Sequence, residues 1–299
     1  MAQKIIEMQK YTSILFSSLL ALVICQCSTV KSAPQENKDE WTNMFNGKDL
    51  KDWTPKIHHY EVGDNYGDTF RVEDNNIKVR YDKYEGDFNE RYGHLFYDTP
   101  YSYYHLVVEY RFVGELHPGA PDYTIKNSGV MFHSQDPRTI LKEQDWPISV
   151  EMQFLAGLVE GEPRPTGNMC SPGTDVVFEG KIDPRHCINS TSQTYYGDQW
   201  VRAEAIVRGD SLVTHIINGD KVLEYSKPQI GGGVANRYDP AIKIDRKLLK
   251  EGFIALQSEG QPIDFRKVAI KNLKGCMDPK ATNYRDYYIE SDPSACKYR

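Results

Sequence analysis

The residues best suited to chemistry sit on β-like segments and are spaced two apart. Glu151 and Gln153 share one face of a segment whose other face carries Val150, Met152 and Phe154. A retaining glycoside hydrolase on such a strand would set two carboxylates ~5–5.5 Å apart. Residues 151–155 read Glu-Met-Gln-Phe-Leu. One carboxylate is present, an amide follows and the third position is apolar, so ordinary two-carboxylate hydrolysis is not expected from this strand. His133 and His215 are the histidines nearest in pattern, and an unperturbed imidazole titrates where a general acid or base must. His133 and Glu151 are the first candidates, as base and its partner or as base and acid, with His133 otherwise a strand-end surface residue. His215, beside the Asn218-Gly219 turn, is a weaker one that would otherwise cap its hairpin. Gln153, Gln257 and Glu259 are expected to hydrogen-bond hydroxyl groups, with Asn127, Arg164 and Asn168 as further binding candidates. GxSxG and HExxH patterns are absent.

These residues must be positioned by strands. β-Branched and aromatic runs bounded by turn formers recur at residues 76–81, 105–113, 129–134, 149–155, 201–208, 212–218, 253–257 and 265–272. Helical periodicity is limited to short pieces near 138–143 and 246–250. Gly209-Asp210 and Asn218-Gly219 read as hairpin turns. Consecutive strands without helices between them imply antiparallel sheets and a sandwich. In residues 105–113, Leu106, Val108, Tyr110 and Phe112 take one face. His105, Glu109 and Arg111 take the other, where Glu109 and Arg111 read as a cross-strand ion pair.

The chain ends read differently. Lys4 and Lys10 precede an apolar run from Ile14 to Ile24, which is too short for the ~20 residues of a membrane span and suits a signal peptide over 1–27. Cys25 follows Leu22-Val23-Ile24 in the outline of a lipidation site, and residues 28–40 read as a polar tether. The expected location is the periplasm or the outer membrane and cell surface, with a lipid anchor to the membrane on one reading and cleavage near Val30-Lys31-Ser32 without lipidation on the other. A net charge of −6 argues against a nucleic-acid partner. Twenty Tyr and four Trp suit sugar faces, and they suit strands equally well.

Beyond the signal region, Cys170, Cys187, Cys276 and Cys296 allow three pairings. The local pairs Cys170–Cys187 and Cys276–Cys296 are favoured, because each closes a polar, turn-rich loop; zinc is the rival, without CxxC spacing. Pro165, Gly167, Pro172 and Gly173 suit no central strand. The stapled segment, which leaves directly after the Glu151 strand, is therefore expected to form a lid or rim outside the core, with Arg164, Asn168 or His186 reaching a bound sugar. The tail over 275–299 stands apart from a main domain over 41–274. Its Asp278, Asp286, Glu290 and Asp292 offer the oxygen ligands that calcium or another divalent metal takes, or form a solvated acidic surface.

Six short motifs appear in a fixed order: Phe45-Asn46-Gly47-Lys48-Asp49-Leu50-Lys51-Asp52-Trp53, Asn127-Ser128-Gly129-Val130-Met131-Phe132-His133, Val150 to Leu155, Gly197-Asp198-Gln199-Trp200-Val201, His215-Ile216-Ile217-Asn218-Gly219 and Ile254 to Glu259. Together they resemble the 3-keto-disaccharide hydrolase family, also described as 3-keto-glucoside lyase/hydratase. The resemblance implies a concanavalin A-like jelly-roll sandwich of two antiparallel sheets, with the site on its concave sheet. It also implies an oxidised sugar as substrate. A 3-keto group acidifies the C2 hydrogen, a base removes it, the glycosidic oxygen leaves C1, and water adds back. The Cys170–Cys187 segment is an addition to the simpler family pattern. The tail resembles a short cysteine-bounded repeat of bacterial surface proteins. The alternatives are a non-catalytic lectin-like module and an adhesion protein; convergence of His133, Glu151 and His215 in one pocket would favour the enzyme.

Overall fold

Alternating burial along the strands builds two sheets face to face. The computed structural model describes residues 40–299. The expected signal, tether and Cys25 lipidation site lie outside the described residues, apart from Glu40 at the end of the tether. One sheet has seven strands, in the order Cys187–Ile188, Asn168–Cys170, Val150–Leu155, Asn127–Ser134, Gly252–Ser258, Gly93–Tyr101 and Trp53–Ile57. The larger sheet runs Lys181–Asp183, Thr174–Phe178, Asp220–Ile230, Leu212–Ile217, Val201–Arg208, Tyr103–Phe112, Ile263–Asn272, Asn76–Val79 and Phe70–Glu73, with Thr42–Asn43 added beside Ile263–Asn272. Every pairing within both sheets is antiparallel. This is the concanavalin A-like jelly-roll sandwich.

The core lies between the sheets. Leu106, Val108, Tyr110 and Phe112 from the larger sheet meet Val130, Phe132, Met152, Phe154 and Leu256 from the smaller one, all 3% exposed or less. Tyr110 stacks on Phe154 at 4.1 Å between ring centroids. At ~25 cal/mol per Å² of apolar surface, each such large side chain contributes ~1.5–3 kcal/mol to the sandwich.

Three local expectations are corrected. Residues 246–250 are not helical, because Leu248 bridges to Gln229 as an edge of the larger sheet. Near 138–143 only a 3-10 turn forms, Pro137–Thr139, capped by the Asp136 side chain. Glu109 and Arg111 do not pair with each other. Two apart on one strand, they reach across to different neighbours: Arg111 to Asp264 at 3.0 Å, Glu109 to Arg266 at 2.6 Å and Arg202 at 3.4 Å.

Both local disulfides form. The Cys170–Cys187 segment is not a lid outside the core, although Cys170, Pro172, His186 and Cys187 do rim a cavity. Its ends are strands of the seven-stranded sheet, with Cys170 directly opposite Cys187. Its middle, Thr174–Phe178, crosses to pair with Asp220–Ile230 in the larger sheet. Its glycines and prolines fall in the turns between these strands, and Gly173, with φ of +67°, makes the turn into the crossing strand. The tail closes on a parallel pair, Lys274–Gly275 beside Glu290–Ser291. Asp278 accepts from Lys280 N–H and Tyr298 O–H, and Asp292 accepts from Ser294 N–H and its hydroxyl. These two carboxylates hold turns of the tail itself.

Candidate active site

Outward-facing residues of the seven-stranded sheet floor a cavity of about 390 Å³. Period 2 sets the face: Val150, Met152 and Phe154 point into the core, so Glu151, Gln153 and Leu155 point out. The register then places Met131 and Cys170 on either side of Glu151, and Gly129 and Asn168 on either side of Gln153. Gly129 is a spatial requirement. A Cβ there would overlap Glu151 Oε1 and lie 2.8 Å from its Cγ, so the missing side chain makes room for the carboxyl. From the far side of that gap come Gln257 and Glu259, at the end of Gly252–Ser258 and just beyond it.

Glu151 and Glu259 are 6% and 4% exposed, deep enough to govern their protonation. Burial pushes the Glu151 carboxyl well above the carboxylate range; the Glu259 charge adds to this, and a hydrogen bond from Gln257 opposes it. Burial pushes Glu259 up to about 8. Both shifts favour the protonated form of the pair. Around it, Asn127 Oδ1, Gln257 Oε1 and Glu259 Oε2 are buried without a hydrogen-bond partner. Such atoms cost ~1–3 kcal/mol each when left unsatisfied, so water or a polar ligand in the cavity is needed to complete them. Trp146 and Tyr123 line it as well; Trp146 packs against Tyr92 at 4.8 Å, and the Tyr123 hydroxyl bonds that of Tyr92 at 2.6 Å.

The other binding candidates divide. Gln153, Gln257, Glu259, Asn127 and Arg164 line the cavity. Arg164 gives its guanidinium to the Ala156, Ile125 and Lys126 carbonyls at 2.6, 2.8 and 3.2 Å, which fixes the loop. Asn168 lies underneath: its amide donates to Gln153 Oε1 at 3.0 Å and Pro165 O at 3.1 Å, and its oxygen accepts from Ser190 N–H at 2.9 Å. It orients Gln153.

The three catalytic candidates do not converge, so the expected discriminator between enzyme and lectin-like module is not met by this trio; the acid and base groups that share the cavity are Glu151, Glu259 and His186. Of the trio, only Glu151 lines the cavity. Alternation from Gly129 and Met131 would put His133 on the cavity face, but the pairing with Gly252–Ser258 shifts register there and His133 adopts φ of +48°. Gly252 permits this, since a Cβ on it would lie 2.6 Å from His133 Cα. The His133 ring turns away and donates from Nε2 to Gly209 O at 2.9 Å, tying the two sheets together. His215 lies in the core between Gly167 O, to which Nδ1 donates at 2.8 Å, and the Tyr225 hydroxyl at 3.0 Å from Nε2. Burial lowers both imidazoles to about 4. The histidine that does line the cavity is His186, beside the Cys170–Cys187 bridge. Tyr123, Trp146 and Gly129 were missed. The first two lie in turns between the strand segments, where no periodicity marks a face, and the glycine carries no signal of its own.

Two groupings have metal-like composition. In one, Cys170 and Cys187 are bonded to each other and offer no thiolate. In the other, the His58 and His59 rings stack face to face at 3.7 Å, which prevents both lone pairs from converging on one ion. His58 Nε2 also faces the Arg237 guanidinium at 3.4 Å.

Among solved structures, two proteins of Parabacteroides distasonis ATCC 8503 assigned as glycosyl hydrolases are similar to this chain. One is 19% identical, with a TM-score of 0.48, over 81% of this chain and 98% of that one. The other is 17% identical, with a TM-score of 0.47, over 78% and 99%. A Bacillus subtilis protein of unknown function with a galectin-like fold is 12% identical, with a TM-score of 0.41, over 78% and 94%. No curated protein sequence matches the chain. A family profile described as the 3-keto-alpha-glucoside-1,2-lyase-like domain matches residues 40–271, which contain both sheets, but for Asn272, and all the cavity residues named above. The chain belongs to the 3-keto-alpha-glucoside-1,2-lyase-like family, a carbohydrate-related one.

Proposed function

We propose that this protein cleaves 3-keto-glycosides by elimination across C1–C2 followed by hydration. The observation that carries the reading is the buried Glu151–Glu259 pair, pushed toward its protonated form over an amide-lined cavity. A hydrolase nucleophile has to be ionised, and neither carboxyl favours that state here. Elimination needs proton donors instead. One protonated carboxyl delivers hydrogen to the departing glycosidic oxygen, and a second donor steadies the C3 enolate, as neutral carboxylic acids do in apolar sites. Glu151 takes the first role, being central on the cavity floor; Glu259 and the amides of Gln257 and Asn127 take the second. Export fits the same picture: the disulfides suit an oxidising compartment, and the N-terminal apolar run with Cys25 suits a signal and a lipid anchor.

The test is incubation of the purified chain with a 3-keto-disaccharide and, separately, with its unoxidised parent. Release of the aglycone from the keto sugar alone supports the reading. Release from the parent alone or from neither overturns it, and saturable binding of the parent without turnover would identify a lectin-like module.

A further inference from the structure

Burial favours the neutral forms of both carboxyls of the pair, which makes them proton donors before acceptors, so the elimination proposed above calls for a base from elsewhere in the cavity. Of the eight histidines, all among the described residues, seven are elsewhere. His133 and His215 are locked into carbonyl contacts. His94 is buried beneath Trp146. His58, His59, His105 and His117 are absent from the cavity lining.

We propose that His186 is the general base of the site and that the Cys170–Cys187 bridge positions it. Three observations place it. His186 lines the same cavity as Glu151, Gln257 and Glu259. A ring nitrogen lies within 4.8 Å of both bridge sulfurs. Cys170 is in turn the direct cross-strand neighbour of Glu151 on one side and of Cys187 on the other. The His186 backbone is clamped too, its carbonyl accepting from Ser171 N–H at 2.9 Å and the Ser171 hydroxyl at 3.1 Å. The imidazole thus stands at the cavity wall on the opposite side of Glu151 from Gln257 and Glu259. His186 is exposed as a residue, but partial desolvation of its ring lowers its pKa, with the Ser171 backbone opposing, which favours the neutral imidazole that can accept a proton. The other ionisable groups lining the cavity are Glu151, Glu259, Arg164 and Tyr123.

The steps balance. His186 takes the C2 proton, and the C–H electron pair forms the C2=C3 enolate. The C1–O bond breaks as C1=C2 forms and the C3 carbonyl returns, and the leaving oxygen takes the Glu151 proton. Water then adds to C1 and gives a proton to the Glu151 carboxylate, while the imidazolium returns its proton to C2.

This inference rests on the proposed elimination, and the experiment separates the two. Exchange of the C2 hydrogen in D2O and aglycone release are both followed on a 3-keto-glucoside, for wild type, His186→Gln and His186→Ala, with the Tm recorded. Expected are losses of ~10²–10⁴-fold in both readouts, a nearly unchanged KM and Tm, disappearance of the acid limb of the pH profile, and partial rescue of His186→Ala by added imidazole. Cys170→Ser with Cys187→Ser, with His186 intact, should lose activity in the same direction and regain none with imidazole. If wild type is active and His186→Gln exchanges C2–H within twofold of it, His186 is not the base, and the elimination reading survives. If wild type neither exchanges C2–H nor releases aglycone, both fall together. If His186→Ala is inactive but unrescued and its Tm drops by many degrees, the residue is structural and the proposal is overturned.

Discussion

The two outward faces of this sandwich carry similar side chains in opposite electrical states. On the larger sheet, Glu109, Glu204 and Asp264 are matched by Arg202, Arg266, His105, Arg80 and Arg111. Arg111 and Arg266 also flank the Trp200 ring at 4.7 and 4.5 Å. Burial alone would raise the Glu204 carboxyl, but hydrogen bonds from His105 and Arg202, with the Arg202 charge, hold it down at about 2. On the smaller sheet, no cation among the described residues contributes to the shifts of Glu151 and Glu259, and burial raises both. The lesson is that a polar strand face is not by itself a site. Paired acids read as a surface; buried acids short of partners are the candidates for chemistry.

The largest effect should come from the unpaired face. Glu151→Gln keeps shape and removes the transferable proton, so kcat/KM on a 3-keto-glycoside should fall ~10²–10⁴-fold. Its Tm should stay level or rise at pH 8, because a buried ionisable group is lost. A variant with full activity would break the contrast between the faces.

Gly129→Ala tests the gap over which the carboxyl lies. The added methyl must displace Glu151, and steady-state kinetics should show a drop of ~10–10²-fold, mostly in kcat, with ~1–3 kcal/mol of lost stability by denaturant unfolding. Unaltered kinetics would mean that the carboxyl need not sit there.

The pH dependence of stability should have opposite sign on the two faces. Glu259 is raised on folding, so its penalty is absent below about 4.5 and grows as pH rises toward 8. Glu259→Gln should remove that decline in Tm. Glu204 is depressed from 4.5 to about 2, so its stabilisation is present above about 4.5 and is lost as pH falls toward 2. Glu204→Gln should cost ~1–3 kcal/mol at pH 6 and progressively less below pH 4. Parallel Tm curves for the two variants would contradict the assignment.

The smallest effect should be that of Arg266→Ala. Its side chain is 46% exposed. Losing its pair with Glu109 should cost ~0–1 kcal/mol, and kcat/KM should not change. A large loss of activity would mean that the larger sheet's face takes part in function.

Much of the site was legible along the chain because period 2 is local. Val150, Met152 and Phe154 alone imply that Glu151 and Gln153 face away from the core, and the same rule places Gln257. It failed at His133, where a register shift and a left-handed backbone turn the ring off the expected face. It also missed the fate of Asn168, because its partners Gln153 and Ser190 are 15 and 22 residues away.

From its residues alone this chain is an antiparallel sandwich with two local disulfides and a carboxyl on a strand face, since strand propensity, turn chemistry and short loop closures act between near neighbours. Tertiary structure alone decided which polar groups meet. Cross-strand register set Gly129 beneath the Glu151 carboxyl, the strand order brought Glu259 toward it from a distant part of the chain, and the crossing of residues 171–186 between the sheets returned His186 to the wall of the same cavity. Burial then settled protonation. A carboxyl's affinity for its proton depends on the water and charges around it, and those are fixed only when strands remote in sequence close over it.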